Sequence, residues 1–229
     1  MRMINSNVLH CVRQVKIGDN VGTLFTIEVQ GLQYLVTANH LLEKWQSGDY
    51  IGIWQGKEWR GLPVELVGTH EAGDVAVFAS SMQLSQRLPL EASSKGLIWS
   101  QDVFFLGFPY GWRAEVPPEL NGKYPLPFVK KAIVSAMVVA DGFETIFLDG
   151  LNNPGFSGGP VVFIPPGSND FQVCSVVTSF RYVAEPVYEG DSEHSLVYRA
   201  NTGIIESTNI RIILELIKNN PIGLARPST

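Results

Sequence analysis

One serine in this chain lies in a segment that could make it a nucleophile. Residues 153–160 read NPGFSGGP and place three glycines around Ser157. Glycine lets the backbone turn tightly, and such a turn can direct the N–H groups of Gly155 and Ser157 to one point beside the hydroxyl. Two convergent N–H groups stabilise the oxyanion of an acyl-transfer reaction. The segment is consistent with a catalytic serine, but a plain Gly/Pro turn has a similar composition.

A catalytic serine needs a general base, and the chain has four histidines. His40 ends a strand-like run, residues 34–39, and precedes a short helical piece. His10 falls in the first predicted strand, His70 in a turn-like segment and His194 in a polar loop. A histidine at a strand end is more often structural than catalytic. His40 is nevertheless the preferred candidate for the base.

The candidate acid is Asp74, which opens the apolar run at residues 75–79. A carboxylate drawn towards a core needs a partner, because an unpaired buried charge is costly. An imidazole N–H would be such a partner, and the pairing would fix the tautomer of the ring. A turn aspartate before an edge strand is the simpler interpretation of the same residue.

Taken together, the three segments are more specific than any one of them. TANH at residues 37–40, GDVAVF at 73–78 and NPGFSGGP at 153–160 resemble the three triad segments of the trypsin/chymotrypsin-like serine peptidases. The chain order of histidine, aspartate and serine also agrees with that family. The likeness is closest to the bacterial HtrA-type branch, and residues 103–111 (VFFLGFPYG) resemble the segment that opens its second barrel. The resemblance spans roughly residues 8–220.

The resemblance implies a role for each matching residue. Ser157 would be the nucleophile, His40 the base and then the acid, and Asp74 the group that orients His40. The backbone N–H groups of Gly155 and Ser157 would form the oxyanion hole. The activity implied is hydrolysis of peptide bonds without a cofactor.

The resemblance also implies where a peptide substrate would bind. Thr178, Ser179 and Phe180 would belong to a strand that pairs with the substrate by β-addition. Leu151 would lie at the base of the pocket for the residue before the scissile bond, and Gly203 would leave the pocket wall open. An apolar base favours small or medium apolar residues at that substrate position.

The sequence departs from the family pattern at two places. Phe156 stands where the zymogen-activated members carry an aspartate that pairs with a new N-terminal ammonium, so we do not expect activation by N-terminal processing. Few residues follow Ile205, and most of them belong to a predicted helix. We therefore expect no PDZ domain after the peptidase unit.

The rest of the chain predicts the elements that would position these residues. Short runs rich in β-branched and aromatic residues alternate with Gly/Pro turns, beginning with a strand at residues 8–17. We expect an all-β fold of two tandem six-stranded antiparallel β-barrels, which remove exposed sheet edges. Residues 1–85 would form the barrel that carries His40 and Asp74. Residues 96–229 would form the barrel that carries Ser157, together with a C-terminal helix.

That helix is predicted from apolar residues at helical spacing, Ile210, Ile213, Leu214 and Ile217. Ser207 or Thr208 would cap its N-terminus, and Pro221 would end the run. Its apolar stripe is expected to pack against the second barrel.

Composition and motifs exclude several other functions. The 229 residues carry a formal net charge of −5 and no basic stripe, which argues against a nucleic-acid partner. No apolar run is long enough to cross a membrane. Metal-binding and phosphate-binding motifs are missing, so no metal or cofactor is expected. The two cysteines, Cys11 and Cys174, are predicted to be reduced and buried, which favours a cytoplasmic location.

The preferred hypothesis is a serine endopeptidase that acts on a peptide or protein substrate through an acyl-enzyme. The main alternative is an inactive peptidase-fold module that binds peptides or serves as a scaffold. An esterase with the same triad is a third possibility. A partner protein or a homo-oligomer is compatible with each of them.

Overall fold

The computed structural model describes residues 3–85 and 90–225, and these form a predominantly β structure. The strands are β1 Val12–Ile17, β2 Asn20–Val29, β3 Leu32–Ala38, β4 Tyr50–Gln55, β5 Glu58–Pro63, β6 Glu65–His70, β7 Val75–Ala79, β8 Glu91–Ala92, β9 Asp102–Gly107, β10 Phe128–Ala140, β11 Phe143–Asp149, β12 Pro160–Phe163, β13 Gln172–Glu189, β14 Ser192–Asn209 and β15 Leu224–Ala225. The helices are α1 Ser6–His10, α2 Pro118–Asn121 and α3 Ile210–Asn219, with 3₁₀ turns at Asn39–Leu42 and Pro109–Gly111. Residues 1–2 and 226–229, at the outer ends of the two predicted domains, and residues 86–89 of the polar stretch between the domains fall outside the described residues.

The first sheet is antiparallel, with strand order β5-β4-β1-β2-β3-β7-β6. Only Val64 separates β5 from β6. The continuous path from Glu58 to His70 therefore pairs with β4 before this residue and with β7 after it, and it links the two ends of the sheet. Counting that path as one bent strand gives the six strands expected from the sequence.

The second sheet closes on itself. Its order is β12-β9-β10-β11-β14-β13, and a further pairing between β12 and β13 completes the ring. The short strand β8 adds to β13 in parallel, outside this ring. The predicted fold class, all-β with two barrel-like sheets and a C-terminal helix, is confirmed.

The first predicted strand is four residues too long at its N-terminal end. Residues from Ser6 to His10 form the helix α1, and the strand begins only at Val12. The side chain of Asn5 caps this helix by accepting a hydrogen bond from Val8 N at 3.2 Å. His10 is therefore the last residue of a helix, and its predicted place in the first strand is wrong.

The C-terminal helix is present, but its cap differs from the prediction. Asn209 is the N-cap and accepts a hydrogen bond from Arg211 N at 3.0 Å. Ser207 and Thr208 are instead the last paired residues of β14 beside β11. The helix also contacts the first sheet, because Asn220 Nδ2, just past its end, donates to Val67 O at 3.1 Å. It thus packs on both sheets, and the chain then returns to β3 through β15.

The hairpin of β13 and β14 is much longer than the two strand-like runs that the sequence shows there, FQVCSVVTSF at residues 171–180 and SLVYRA at residues 195–200. Each strand has 18 residues, and they pair as far as Glu189 and Ser192 at the tip. The hairpin therefore extends beyond the second barrel as a two-stranded ribbon.

The Pro- and Gly-rich stretch at residues 109–127 packs across the first sheet. The Arg113 guanidinium lies 3.6 Å from the centre of the Trp54 ring, and Trp54 Nε1 donates to Glu115 at 3.3 Å. Gly56 N also donates to Lys123 O at 2.9 Å. This stretch runs from β9 to β10 of the second sheet, and its contacts with the first sheet hold the two sheets together.

Both cysteines are buried and form no disulfide within residues 3–85 and 90–225, as predicted. Among residues 3–85 and 90–225, no helix is long and apolar enough to cross a membrane. The same residues contain no cluster of His, Cys, Asp and Glu side chains that could hold a metal ion.

Candidate active site

The Asp74 carboxylate contacts His40 at two atoms. The carboxylate Oδ2 lies 2.6 Å from His40 Nδ1, and Oδ1 accepts a hydrogen bond from the backbone N–H of His40 at 2.7 Å. The two side chains are 29% and 47% exposed, respectively. With Nδ1 held by the carboxylate, Nε2 is the nitrogen left to take a proton, so the pair is arranged as a general base and its orienting group.

The backbone of Asp74 is fixed from both sheets. Its φ angle is 51°, a left-handed conformation that aspartate tolerates better than most residues. Asn39 N donates to Asp74 O at 3.0 Å, which ties the end of β3 to this loop. From the second sheet, the buried Thr208 hydroxyl donates to Gly73 O at 2.6 Å. The acid therefore sits at a junction between the two halves of the molecule.

The loop before Ser157 makes the turn that an oxyanion hole requires. Phe156 N donates to Asn153 O at 3.3 Å, and Gly155 has a φ angle of 102°. A positive φ at the third residue is the mark of a type II turn. Pro154 O accepts from Tyr110 N at 2.7 Å, so the N–H on the same peptide plane points to the opposite side.

The two N–H groups predicted to bind an oxyanion have no other partner in the described part of the chain. Neither Gly155 N nor Ser157 N donates a hydrogen bond to residues 3–85 or 90–225. Unpaired N–H donors held in place by a turn are what a developing negative charge needs.

Strand β2 holds the serine loop against the first sheet. Thr23 N donates to Ser157 O at 2.9 Å, and the Thr23 hydroxyl donates to Gly155 O at 2.7 Å. The approach is close at Gly158, where an added Cβ would lie 2.8 Å from Ala38 N, two residues before His40. An added Cβ on Gly22 would meet both Leu41, at 2.5 Å, and Ser157 O, at 3.1 Å. The segments of the candidate base and nucleophile therefore meet at β2.

Phe156 anchors the loop by burial instead of by an ion pair. Its side chain is fully buried, and its ring packs edge-on against Phe105 with centroids 4.9 Å apart. Close packing leaves no room for a Cβ at Gly107, which would lie 2.7 Å from Phe156 Cδ1. The bulky residue is thus compatible with the turn at Gly155.

A lysine on β10 braces the other side of the same loop. Lys130 Nζ donates to Leu151 O and to Asn153 Oδ1, the latter at 2.7 Å. It also lies 5.6 Å from the centre of the Phe156 ring. Burial lowers the pKa of Lys130 from its ordinary value. The ammonium group therefore connects three residues of the loop that carries Ser157.

Ser157 and His40 are not joined by a hydrogen bond in this structure. The Ser157 hydroxyl makes no hydrogen bond within the described residues. Such bonds are often long without substrate and shorten in the reacting complex. The geometry therefore supports the acid–base pair more directly than the contact of base and nucleophile.

Two cavities lie near the candidate catalytic residues. One, of about 460 Å³, is lined by Asp74, Thr178 and Ser179 together with the tip of the β10–β11 hairpin. The other, of about 290 Å³, is lined by Tyr110, Pro154 and Gly155. The first cavity thus adjoins the candidate acid, and the second adjoins the turn that precedes Ser157.

The other predicted substrate-binding residues lie outside these two cavities. The Leu151 side chain is 55% exposed, so it does not form the floor of a closed pocket in this structure. An added Cβ on Gly203 would have no neighbour closer than 3.9 Å, which leaves that position open. Phe180 is half-buried on β13. Contact of these three residues with a substrate stays a prediction.

Sequence reasoning missed four residues that support the site: Thr23, Tyr110, Lys130 and Thr208. Each bonds to a segment far away in the chain, such as Thr208 to Gly73. Tyr110 belongs to the segment 103–111 that resembles the family, and Thr208 is predicted only as a helix cap. Thr23 and Lys130 lie in no motif, so the sequence offers no signal for their contacts.

Comparison with known proteins identifies the class. A family model described as a trypsin-like peptidase domain matches residues 22–163. This chain belongs to that family. No curated protein gave a match.

Solved structures show the same fold at low sequence identity. The active form of the Rv3671c protease from M. tuberculosis is 17% identical with a TM-score of 0.61, and the alignment covers 97% of this chain and 85% of that one. The inactive form of the Rv3671c protease is 15% identical with a TM-score of 0.60, covering 93% and 90%. The HtrA-type protease AlgW with tripeptide is 19% identical with a TM-score of 0.60; the alignment covers 93% of this chain but only 61% of AlgW.

Proposed function

We propose that this protein is a serine endopeptidase that cleaves peptide or protein substrates through an acyl-enzyme. The observation that carries the proposal is the two-point contact between Asp74 and His40 beside the type II turn that precedes Ser157. One bond holds the ring of His40 and the other holds the backbone N–H of the same residue. Both together fix the position and the tautomer of the ring.

Acylation begins at the serine hydroxyl. As Ser157 Oγ attacks the carbonyl carbon of the scissile bond, its proton passes to His40 Nε2. Asp74 stabilises the imidazolium through Nδ1–H and keeps its own negative charge. The carbonyl oxygen becomes an oxyanion and accepts hydrogen bonds from Gly155 N–H and Ser157 N–H. His40 then gives the proton to the leaving amine as the C–N bond breaks.

Deacylation repeats the same steps with water as the nucleophile. His40 takes a proton from water, the hydroxide attacks the ester carbon, and the oxyanion forms again at the same two N–H groups. The bond from Ser157 Oγ to carbon breaks, and His40 returns the proton to the serine oxygen. No redox step or cofactor enters this sequence.

Labelling with a fluorophosphonate probe tests the proposal, because an activated serine attacks its phosphorus and displaces fluoride, which leaves the serine phosphonylated. We expect one label per chain on the wild type and none on Ser157→Ala. Ser47→Ala, which changes an exposed serine of the first half, should label like the wild type. A folded wild type that takes up no label would contradict the proposal.

The alternative, an inactive peptide-binding module, is favoured by one observation, the Ser157 hydroxyl without a hydrogen bond to His40. Fluorophosphonate labelling also distinguishes the binding module from the endopeptidase. A module would bind peptides without becoming labelled, whereas an endopeptidase would be labelled and would also cleave them.

A further inference from the structure

The ribbon beyond the second barrel exposes an unusual amount of apolar surface. We call residues 181–202 of the β13–β14 hairpin the arm. Six large apolar side chains of the arm are between 44% and 66% exposed: Tyr182, Val183, Tyr188, Leu196, Val197 and Tyr198. Neighbouring residues on a strand point to opposite faces, so both faces of the arm are apolar in part.

The arm also has free strand edges. From residue 178 to its end, β13 has β14 as its only strand partner in the described structure, because its pairing with β12 ends at Val176. A two-stranded hairpin by itself is marginally stable in water, and a long free edge is a template for another strand. Contacts between its two strands stabilise the arm, including the Arg199 guanidinium 4.7 Å from the centre of the Tyr182 ring.

The free edge is continuous with the candidate active site. Gly158 N donates to Val177 O at 2.8 Å, and Val177 N donates to Gly159 O at 2.9 Å. Strand β13 thus passes the residue after Ser157 and runs directly into the arm four residues later. From Arg181 to Glu189 the arm adds about 30 Å of extended chain.

We propose that the arm is a docking strand for the unstructured part of a polypeptide substrate that precedes the scissile bond. This inference rests on the proposed function. A peptide added antiparallel to β13 runs from the tip of the arm towards Ser157, so its N-terminal residues lie along the arm. Pro186 has no backbone N–H and interrupts the edge, which limits regular pairing to the part nearer the barrel.

The charge of the arm defines the chemistry of this substrate. Glu189, Asp191 and Glu193 lie at the tip, where His194 Nε2 is 3.2 Å from Glu189. Glu185 lies midway along the arm and accepts a hydrogen bond from the Tyr198 hydroxyl. The two arginines of the arm lie near its base. Each arginine is already engaged, Arg181 with Glu206 and Arg199 with the Tyr182 ring. The arm therefore favours a peptide with apolar residues close to the scissile bond and lysine or arginine further towards its N-terminus.

The test measures peptide binding to the Ser157→Ala protein, so that turnover does not interfere. The peptides carry about four or about ten residues before the scissile position, the longer one with lysines near its N-terminus. We expect the longer peptide to bind about tenfold more tightly, because β-addition gains main-chain hydrogen bonds along its length. Equal affinity for the two peptides would overturn the proposal.

A shortened arm provides the matched variant. Tyr182 and Asn201 are paired, so residues 183–200 can be replaced by Asn-Gly, a favoured two-residue hairpin turn. We expect the advantage of the longer peptide to fall below about twofold, because the added strand has lost its partner. With Ser157 present, the shortened protein should still be labelled by the fluorophosphonate, which shows that the site is folded. An advantage that survives the deletion contradicts the proposal.

Charge reversal tests the tip without changing the length of the arm. The preference for lysine is the ratio of the affinities of the longer peptide with and without its lysines. The variant Glu189→Lys/Glu193→Lys should remove this preference, and high salt should weaken it in the protein with the native arm. Glu65→Lys, an exposed change on the first sheet, should leave it intact. A preference unchanged by the reversal would show that the tip does not select the charge.

The remaining outcomes separate the arm from the catalytic proposal. If the wild type resists labelling but arm-dependent binding is found, the endopeptidase proposal fails and the docking strand stands. If shortening the arm converts a dimer into a monomer and leaves the length dependence unchanged, the arm pairs with a second copy of the chain. That result would overturn the docking proposal.

Discussion

At the scale of single residues, the site depends on groups that hold other groups in place. Asp74 holds the His40 ring and its backbone N–H. Lys130 holds Leu151 and Asn153, and with them the turn that orients Gly155. The reacting atoms are thus supported by contacts that can be removed one at a time.

Asp74→Asn should leave the shape of the site intact but provide an amide where a carboxylate is needed. We expect kcat for peptide cleavage to fall by about 10³–10⁴, because the ring loses its orienting charge and its correct tautomer. Asp141→Asn is the matched control, since Asp141 lines the same cavity without contacting His40. A loss of less than about tenfold would show that Asp74 has only a structural role.

Lys130→Met should remove the ammonium group that braces the serine loop. We expect kcat to fall by about threefold to tenfold with KM nearly unchanged, the effect of losing one charge-assisted contact at a partly exposed site. Lys131→Met is a close control, because the neighbouring Lys131 bonds to Asp102 at 2.8 Å and not to the loop. Steady-state kinetics of both variants gives the comparison, and equal effects would refute the role of Lys130.

The three candidate triad residues could be predicted from the sequence, because each lies in a short segment of distinctive composition. Their supports could not. Lys130 acts through residues 21 and 23 positions away, and Thr23 through a residue 132 positions away. Such contacts depend on how strands pair and barrels pack, which residue types alone do not specify.

At the scale of elements, β2 connects the halves of the site. Its Thr23 hydroxyl donates to Gly155 O and accepts from Phe108 N at 3.2 Å, so one side chain joins the serine loop to the start of the stretch after β9. Its backbone bonds to Ser157 O. The strand therefore positions the oxyanion turn relative to the histidine end of β3.

Thr23→Val should leave the Gly155 carbonyl and the Phe108 N–H without their side-chain partner. Unsatisfied buried groups cost about 1–3 kcal/mol each, and we expect a lower melting temperature together with an activity loss of about tenfold or more. Thr26→Val on the same strand is the control, because its hydroxyl makes only a 3.5 Å contact with Cys11 O. Thermal unfolding and kcat/KM, measured for both variants, show whether the loss is specific to the Thr23 hydroxyl. Equal losses would contradict the role of Thr23.

The errors in element prediction have local causes. Short apolar runs do not distinguish a helix from a strand, so the sequence predicts a strand where the structure has the helix α1 before β1. Three successive residues, Ser207, Thr208 and Asn209, are all good caps, and pairing with β11 decides that the third one acts. The length of the arm does not follow from the sequence, because Pro186 and the polar tip interrupt its strand pattern.

At the scale of the whole molecule, the two sheets share buried surface and are joined by contacts at the site. One continuous core includes Phe25 and Val77 of the first sheet, Val176 of the second and Ile213 of α3. The Thr208–Gly73 bond crosses the same boundary beside the candidate acid. We therefore expect the site to be lost when the sheets separate, before either loses its own strands.

Alkaline pH should reveal the burial of Cys174 in the second sheet. Burial raises the pKa of this thiol to about 12, so the folded protein keeps a proton that the unfolded chain loses at lower pH. The free energy of unfolding should therefore decrease as the pH rises above about 9. Chemical unfolding at several pH values measures this slope, and Cys174→Ala should reduce it. An identical slope in the variant would contradict the assignment.

The two-barrel architecture was predictable from the sequence because strand-like runs and turns recur along the chain. The packing of α3 on the first sheet and the return of β15 to β3 were not, since an amphipathic stripe shows that a helix is buried but not against which surface.

The central claim is that Ser157 becomes acylated during turnover, and a reaction with a p-nitrophenyl ester measures this most directly. The account predicts a rapid burst of about one nitrophenolate per chain, as acyl-enzyme accumulation gives. Intact-mass analysis should then find one acyl group, located on Ser157. Ser157→Ala should give neither. Steady release without a burst, or an acyl group on another residue, would contradict the claim.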